Sequence, residues 1–127
     1  MNIIFKTSLL IGFGGFLGTI TRYLLSVLIN KYSFTSFPLG TLMINLLGCL
    51  MIGLISGYFS ERLNDQSQVY FFLTIGCLGG FTTFSAVALE SQIFIQNGEI
   101  LKLLMYLTFQ TVIGVGLCLL GYHLMKS

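Results

Sequence analysis

Four long apolar stretches, separated by short polar connections, account for nearly all of this chain. They cover residues 3–29, 38–60, 69–96 and 99–125. Because about 20 apolar residues in a helix cross the hydrocarbon core of a bilayer, each stretch is long enough to form one transmembrane helix. The pattern therefore predicts an all-α membrane protein, a single domain of four transmembrane helices spanning residues 1–127.

The third stretch contains a segment that disfavours a continuous helix. Residues 76–85 read GCLGGFTTFS. Glycine costs about 1 kcal/mol relative to alanine in a helix interior, and threonine and serine hydroxyls compete for backbone hydrogen bonds. We therefore predict a break from Gly79 to Thr83 that faces the protein interior. The alternative is a continuous helix whose small residues, such as Gly76 and Gly80, pack against another helix.

Two of the other helices each carry one stripe of small and polar residues on an apolar background. The second helix has Thr41, Asn45, Gly48, Cys49 and Ser56, and the fourth has Tyr106, Gln110, Gly114 and Cys118. Helical spacing places each set on one face, which predicts a bundle with a polar track in its interior. In the first helix, Gly14 and Gly18 would let another backbone approach closely.

Three polar residues within the apolar stretches are open to two interpretations each. Asn45 either joins helices by hydrogen bonds or donates its N–H groups to a permeating anion. Arg22 lies roughly 9 Å past the middle of the first helix. It either extends to the membrane surface or places positive charge in a vestibule that concentrates anions. For Glu90 we predict pairing with a cationic side chain, and the alternative is a position in an aqueous vestibule.

Composition supports the membrane assignment and limits the chemistry. The chain has 127 residues, of which 55% are hydrophobic and 8% charged, and its mean hydropathy is +0.93. A soluble domain carries far more charge on its surface. Cys49, Cys77 and Cys118 show no metal-ligand or redox spacing. Since no nucleophile–base pair, metal cluster or phosphate-binding loop is evident, we expect neither an enzyme nor a nucleic-acid-binding protein.

The basic residues are balanced across the predicted membrane. Four spans place both termini and the middle connection on one side, with Lys6, Arg62 and Lys126. The other side holds Lys31, Lys102 and, nearest to it, Arg22. With equal numbers, the positive-inside rule sets no preferred orientation. Such a chain could insert both ways and pair with its inverted copy about a two-fold axis in the membrane plane.

Three motifs, in this order, carry a resemblance to a known family. They are Gly14-Gly15-x-x-Gly18-x-x-x-Arg22-Tyr23, Pro38-x-Gly40-Thr41-x-x-x-Asn45-x-x-Gly48, and Gly79-Gly80-Phe81-Thr82-Thr83-Phe84-Ser85 with Glu90 beyond it. With them the chain resembles, over essentially its whole length, the small bacterial fluoride channels of the Fluc family. The resemblance implies an inverted dimer in the cell membrane with two pathways for passive fluoride efflux, which reduces fluoride toxicity in the cytoplasm.

The resemblance also implies roles for individual residues. Backbone carbonyls of Gly79 and Thr82 from both subunits would hold a structural sodium ion at the dimer centre, since carbonyls can replace a cation's hydration shell. Phe84 matches a phenylalanine whose positive ring edge faces the anion. The predicted anion path comprises Asn45, Thr83, Phe84, Ser85, Val87, Tyr106 and Gln110, with Arg22 and Glu90 at the vestibules.

The chain departs from the family pattern at three positions. Val87 replaces a second pore phenylalanine, Gln110 lies where a small hydroxyl residue is usual, and Ala88 also lacks a common hydroxyl. The alternative function is therefore a non-conducting or half-conducting partner in a heterodimeric fluoride channel. A small proton-coupled drug antiporter is less favoured, because it needs a carboxylate deep in the first helix and no acidic residue precedes Glu61.

Overall fold

The computed structural model describes residues 1–62 and 67–126, and every regular element in these ranges is helical. The helices are α1 (Ile3–Tyr32), α2 (Leu39–Ser60), α3 (residues 68–81), α4 (Phe84–Gln96) and α5 (Ile100–Lys126). Within these ranges, four spans are long and apolar enough to cross a membrane, and α3 and α4 together form the third. The predicted all-α membrane protein with a broken third helix is confirmed.

Polar side chains and one glycine set the helix ends. The Asn2 side chain accepts a hydrogen bond from the Ile4 amide at 3.1 Å at the start of α1, and Ser67 caps α3 through the Tyr70 amide at 3.1 Å. Such caps satisfy amides that have no partner in the first turn. Between α4 and α5, Gly98 adopts a φ of 71°, which glycine tolerates without steric cost. The chain therefore turns sharply there and begins α5.

The break in the third span is shorter than the sequence predicted. Gly79–Phe81 is helical, and only Thr82 and Thr83 have extended backbones, with ψ angles of 156° and 122°. The helix continues here because Gly80 packs tightly against α1: a methyl group on Gly80 would lie 2.5 Å from the carbonyl oxygen of Gly15. The hydroxyls of the two threonines contact the helix on either side of the break, and that of Thr83 replaces a helical acceptor. Thr82 Oγ1 donates to the Leu78 carbonyl at 2.9 Å, and Thr83 Oγ1 accepts from the Ala86 amide at 3.2 Å.

Close glycine contacts organise the bundle into two helix pairs. In the α1–α3 pair, a methyl group on Gly14 would come within 3.1 Å of the Gly76 Cα atom. In the α2–α5 pair, a methyl group on Gly121 would lie 2.6 Å from the Leu50 carbonyl oxygen. Small residues allow such close approach in membranes. The glycine-packing interpretation of the third span is therefore correct for α3, and the break follows directly after the packed segment.

Two segments widen into π-helical turns, Phe72–Leu78 within α3 and Phe109–Ile113 within α5. π-helical turns insert one extra residue and occur often at functional sites. Here both lie next to the break. Two buried apolar clusters flank it, one formed by Leu42, Val87, Phe94 and Tyr106, the other by Ile44, Leu78 and Phe81. The break is thus held between two packed regions.

Candidate ion pathway

A groove of about 360 Å³ opens beside the break and is lined by residues of α2, α3, α4 and α5. Its lining includes seven of the residues that the sequence singled out: Asn45, Gly79, Thr82, Thr83, Phe84, Val87 and Gln110. The structure therefore brings together positions that lie up to 65 residues apart in the chain. Ser85, Tyr106, Arg22 and Glu90 lie outside this groove.

The Asn45 side chain takes over hydrogen bonds that the break removes. Its Nδ2 donates to the Thr83 carbonyl at 2.9 Å, and its Oδ1 accepts from the Thr83 amide, also at 2.9 Å. The second Nδ2 proton is donated to Gln110 Oε1 at 3.1 Å. Because an unpaired buried backbone group costs about 1–3 kcal/mol, this amide makes the break tolerable inside the bundle. The structure thus shows Asn45 joining three helical segments.

The same contacts release two backbone carbonyls. In a continuous helix, the Thr83 amide would donate to the Gly79 carbonyl and the Ala86 amide to the Thr82 carbonyl. Here the Thr83 amide donates to Asn45, and the Ala86 amide donates to the Thr83 hydroxyl. The carbonyls of Gly79 and Thr82 therefore lose their helical donors, and both residues line the groove. Exposed carbonyl oxygens of this kind suit a hard cation such as sodium.

Glu90 has two hydroxyl partners. Its Oε1 accepts from Thr41 Oγ1 at 2.6 Å, and its Oε2 accepts from the Tyr106 hydroxyl, whose side chain is 0% exposed. Within the described ranges no cationic side chain pairs with Glu90, and the ion pair found there joins Lys102 to Glu99. The predicted pairing with a cation is therefore wrong. Two hydroxyl donors stabilise the carboxylate instead, since hydrogen bonds to a charged acceptor are strong.

The residues that follow the break differ sharply in exposure. Phe84 is 81% exposed, so most of its ring is left uncovered by the part of the chain that the structure describes. Val87, three residues later, is 3% exposed and packs in the cluster with Leu42 and Tyr106. The Ser85 hydroxyl is exposed and lies 3.3 Å from the Thr83 hydroxyl. Phe84 and Ser85 are therefore available to a second chain or to an ion, whereas Val87 also belongs to the core.

Arg22 lines a second cavity of about 310 Å³ together with Thr19, Tyr23, Ser26 and Thr41. The side chain is half-buried, so it does not simply extend away from the bundle. Thr83 lines both this cavity and the groove. The break therefore separates a cavity with a positive charge from a groove lined by amides and hydroxyls.

The sequence pattern missed two polar residues of the groove, Thr74 and Thr111. Thr111 lies next to Gln110 and off the four-residue stripe of α5, so a regular helix would turn it away. The π-helical turn at Phe109–Ile113 adds a residue to this turn, and both neighbours reach the groove. Thr74 lies in the other π-helical turn. Helical periodicity alone gives no signal for either residue.

Comparisons with known proteins identify the family. The family model described as "CrcB-like protein, Camphor Resistance (CrcB)" matches residues 9–122. The fluoride-specific ion channel FluC of Flavobacterium psychrophilum is 40% identical over 110 residues, covering 87% of this chain and 89% of the relative. FluC of Ruminiclostridium cellulolyticum is 39% identical over 116 residues, covering 91% and 86%. FluC of Aquifex aeolicus is 37% identical over 127 residues, covering 100% and 99%.

The family expected from the three sequence motifs is thereby confirmed, and the fold fits it, with four helices suited to crossing a membrane and a break in the third span. The motif residues Asn45, Gly79 and Thr83 all lie at the groove. The matched range covers at least part of every helix of the described chain. This multi-pass membrane protein belongs to the CrcB-like family.

Proposed function

We propose that this chain is a subunit of a fluoride-selective ion channel that mediates passive fluoride efflux and reduces fluoride toxicity in the cytoplasm. The observation that carries the proposal is the groove at the break, where polar groups from α2, α5 and the break converge inside an apolar bundle. Relatives named as fluoride-specific ion channels, matched over nearly their whole length, support it.

The chemistry of the pathway suits a small anion. Fluoride gives up tightly bound water only where hydrogen-bond donors replace it, and the Thr83 and Ser85 hydroxyls and the Gln110 amide supply donors near the break. The positive charge of Arg22 raises the local concentration of anions in its cavity. The exposed Phe84 ring offers a weakly positive edge. Several weak sites in series let an ion enter and also leave.

A second copy, inverted in the membrane, completes this proposed channel. In one chain the groove is open on one side and Phe84 is 81% exposed. A second chain packed against this side would bury both. The balance of three basic residues on each side supports insertion in both orientations. We infer an inverted homodimer with the two grooves facing its interface.

A structural sodium ion at the centre of the dimer fits the same region. The carbonyls of Gly79 and Thr82 have lost their helical donors, and each chain would supply one such pair. Bound sodium would supply positive charge that holds the carbonyl oxygens of both chains together. Within this chain, Asn45 and the Thr83 hydroxyl hold the two carbonyls available, because they engage the amides that would otherwise occupy them.

Fluoride efflux from liposomes that contain only this purified chain tests the proposal. We expect efflux that is strongly selective for fluoride over chloride, while empty liposomes show none. Protein that is folded and dimeric but does not conduct would contradict the homodimeric channel. That result would favour a second candidate function, a subunit of a heterodimeric fluoride channel.

The second candidate rests on the contacts of Val87 and Gln110. Val87 is packed against core residues, and Gln110 accepts a hydrogen bond from Asn45, so both unusual positions have structural roles here. A chain with these features could form one wall of a pathway that another subunit completes. Reconstitution with a related subunit distinguishes the candidates, since a heterodimeric channel conducts only when both chains are present.

A further inference from the structure

Gly48 on α2 leaves room for the methyl group of Thr82 at the break. A methyl group added to Gly48 would overlap the Thr82 Cγ2 atom, and the next residue that it would approach is Phe81, whose Cδ1 atom lies at 3.5 Å. Gly48 and Thr82 both line the groove. Any side chain larger than hydrogen at position 48 would therefore meet Thr82 first.

The other branch of the Thr82 side chain is also held. Thr82 Oγ1 donates a hydrogen bond to the Leu78 carbonyl at 2.9 Å. A β-branched side chain has few favourable χ1 angles, and a rotation that moves Cγ2 away from Gly48 also moves Oγ1 away from Leu78. The methyl group and the hydroxyl together therefore hold Thr82 in one position between α2 and α3.

The peptide group that joins Thr82 to Thr83 is held by Asn45, one turn before Gly48 on α2. The Thr83 amide donates to Asn45 Oδ1 at 2.9 Å. In a planar trans peptide the carbonyl points away from the N–H of the same group, so the Thr82 carbonyl points away from Asn45. Asn45 thus sets the direction of this carbonyl, and the contact with Gly48 sets the position of the residue that carries it.

We propose that Gly48 is a positioning residue for the cation: by admitting the Thr82 methyl group against α2, it places the Thr82 carbonyl where sodium can bind it. The inference rests on the proposed channel and its structural sodium ion. A hard cation is held by oxygen ligands that converge on it at short range, so a displaced carbonyl weakens binding. Loss of a group that orients a metal ligand typically lowers affinity about 10–100-fold.

Moving one methyl group from position 82 to position 48 tests this inference. Gly48→Ala adds a methyl group on α2, and Thr82→Ser removes the methyl group that it would meet while keeping the hydroxyl. The apparent Kd for sodium is taken from the rise in Tm when sodium replaces N-methylglucamine at constant ionic strength. We expect Gly48→Ala to raise this Kd at least about tenfold. In the double variant it should return to within about threefold of the wild-type value, because the two changes compensate each other.

Two controls separate positioning of the carbonyl from general packing. Gly12→Ala adds a methyl group where no atom lies within 4 Å. Thr74→Ser shortens another groove threonine whose hydroxyl bonds to its own helix, at 2.8 Å from the Tyr70 carbonyl. Both variants should keep the wild-type Kd for sodium. A Gly48→Ala protein with a lower Tm but an unchanged Kd would show a packing role alone and would overturn the inference.

The exchange remains decisive if Gly48→Ala alone does not fold. Thr82→Ser alone should then weaken sodium binding, because Thr82 loses its contact with α2, and adding Gly48→Ala should restore the binding. A double variant no closer to the wild type than Thr82→Ser would contradict the inference.

Sodium binding and fluoride efflux fail separately in these measurements. Wild-type protein that does not conduct but shows the sodium response and the compensation would contradict the homodimeric channel and still support the role of Gly48. A wild-type Tm that is independent of sodium would overturn the inference together with the sodium ion, and fluoride efflux from liposomes would still decide the channel function.

Discussion

At the scale of single residues, Asn45 determines whether the break can exist in the membrane. The break frees the amide and the carbonyl of Thr83, and Asn45 bonds to both at 2.9 Å. Its side chain is 9% exposed, so water cannot readily replace these bonds. An asparagine that the sequence leaves open to two roles is thus a structural partner of the backbone, and it also donates to Gln110 on α5 at 3.1 Å.

We predict that Asn45→Ala lowers the free energy of unfolding by about 2 kcal/mol, because it leaves both backbone groups of Thr83 buried without partners. The measurement is reversible unfolding of the purified protein in mixed micelles. Asn97→Ala is the control, since Asn97 is exposed at the end of α4 and its effect should stay within about 0.5 kcal/mol. Equal stability of the two variants would show that Asn45 does not support the break.

The second residue-scale prediction concerns Tyr106, which is fully buried and donates to Glu90. Tyr106→Phe keeps the ring and removes the donor, so Glu90 retains only Thr41 as a partner. We expect a loss of about 1.5–3 kcal/mol in unfolding free energy, the range for a hydrogen bond to a charged group. Tyr32→Phe removes a hydroxyl from an exposed ring and serves as the control. A loss no larger than that of the control would mean that the Glu90 contact does not contribute to stability.

At the scale of helices, close contact between α1 and α3 positions the break. The backbones touch through Gly14 and Gly18 on α1, which face Gly76 and Cys77 on α3. Because this packing extends to Gly80, α3 stays helical through Phe81, and the chain departs from helical geometry only at the two threonines. The π-helical turns in α3 and α5 then adjust which side chains reach the groove.

We predict that Gly18→Ala destabilises the protein by about 1–3 kcal/mol or prevents folding, because the added methyl group would meet the Cys77 carbonyl and lie 2.9 Å from the Phe81 amide nitrogen. Gly12→Ala is the matched control on the same helix, since a methyl group there has no atom within 4 Å. It should be neutral or stabilising by up to about 1 kcal/mol, because alanine favours the helix. Thermal unfolding and the yield of folded protein measure both variants. Similar results for the two would contradict the close α1–α3 contact.

At the scale of the whole molecule, three features of the chain bear on the proposed dimer. Its groove is open, Phe84 is exposed, and the carbonyls of Gly79 and Thr82 have lost their helical donors. Each of these features is accounted for if a second, inverted copy covers the groove and a cation lies between the two breaks. Membrane interiors tolerate irregular backbone only where protein or a polar cavity surrounds it.

We predict that replacing sodium by N-methylglucamine at constant ionic strength lowers the Tm of the purified protein. If sodium is present at about a hundredfold excess over its Kd, its removal should cost about 2.7 kcal/mol of stability. Restoring sodium should recover the Tm, which excludes irreversible damage. A Tm that is independent of sodium would argue against a bound ion at Gly79 and Thr82.

Orientation in the membrane can be tested by charge. The double substitution Ser60→Lys with Glu61→Lys adds positive charge to the side that holds the termini, and we expect it to bias insertion and to reduce dimer formation. In the control, Glu61→Lys with Gln96→Lys adds one lysine to each side and should preserve the dimer. Labelling of engineered terminal tags from outside intact cells reports the orientation. Uniform orientation of the wild-type chain would contradict the inverted dimer.

The sequence alone determined the number of spans, their polar stripes and the presence of a break. These features are local. A run of about 20 apolar residues is enough to place a helix in the hydrocarbon core, and helical periodicity puts the residues of each stripe on one face. The family resemblance added the expected roles of Asn45 and of the carbonyls at Gly79 and Thr82. The helix ends in the structure differ from the predicted ends by a few residues at most; α1, for example, continues to Tyr32.

Only the tertiary structure decided the partners of the polar residues and the site of the break. Asn45 forms hydrogen bonds with Thr83, which lies 38 residues later in the sequence, and Thr41 donates to Glu90, which lies 49 residues later. Such pairings depend on helix register and on contacts between helices worth about 1 kcal/mol each, and no local pattern encodes them. The same holds for the π-helical turn that brings Thr111 to the groove. Local physics fixed the helices, and packing between helices fixed the site.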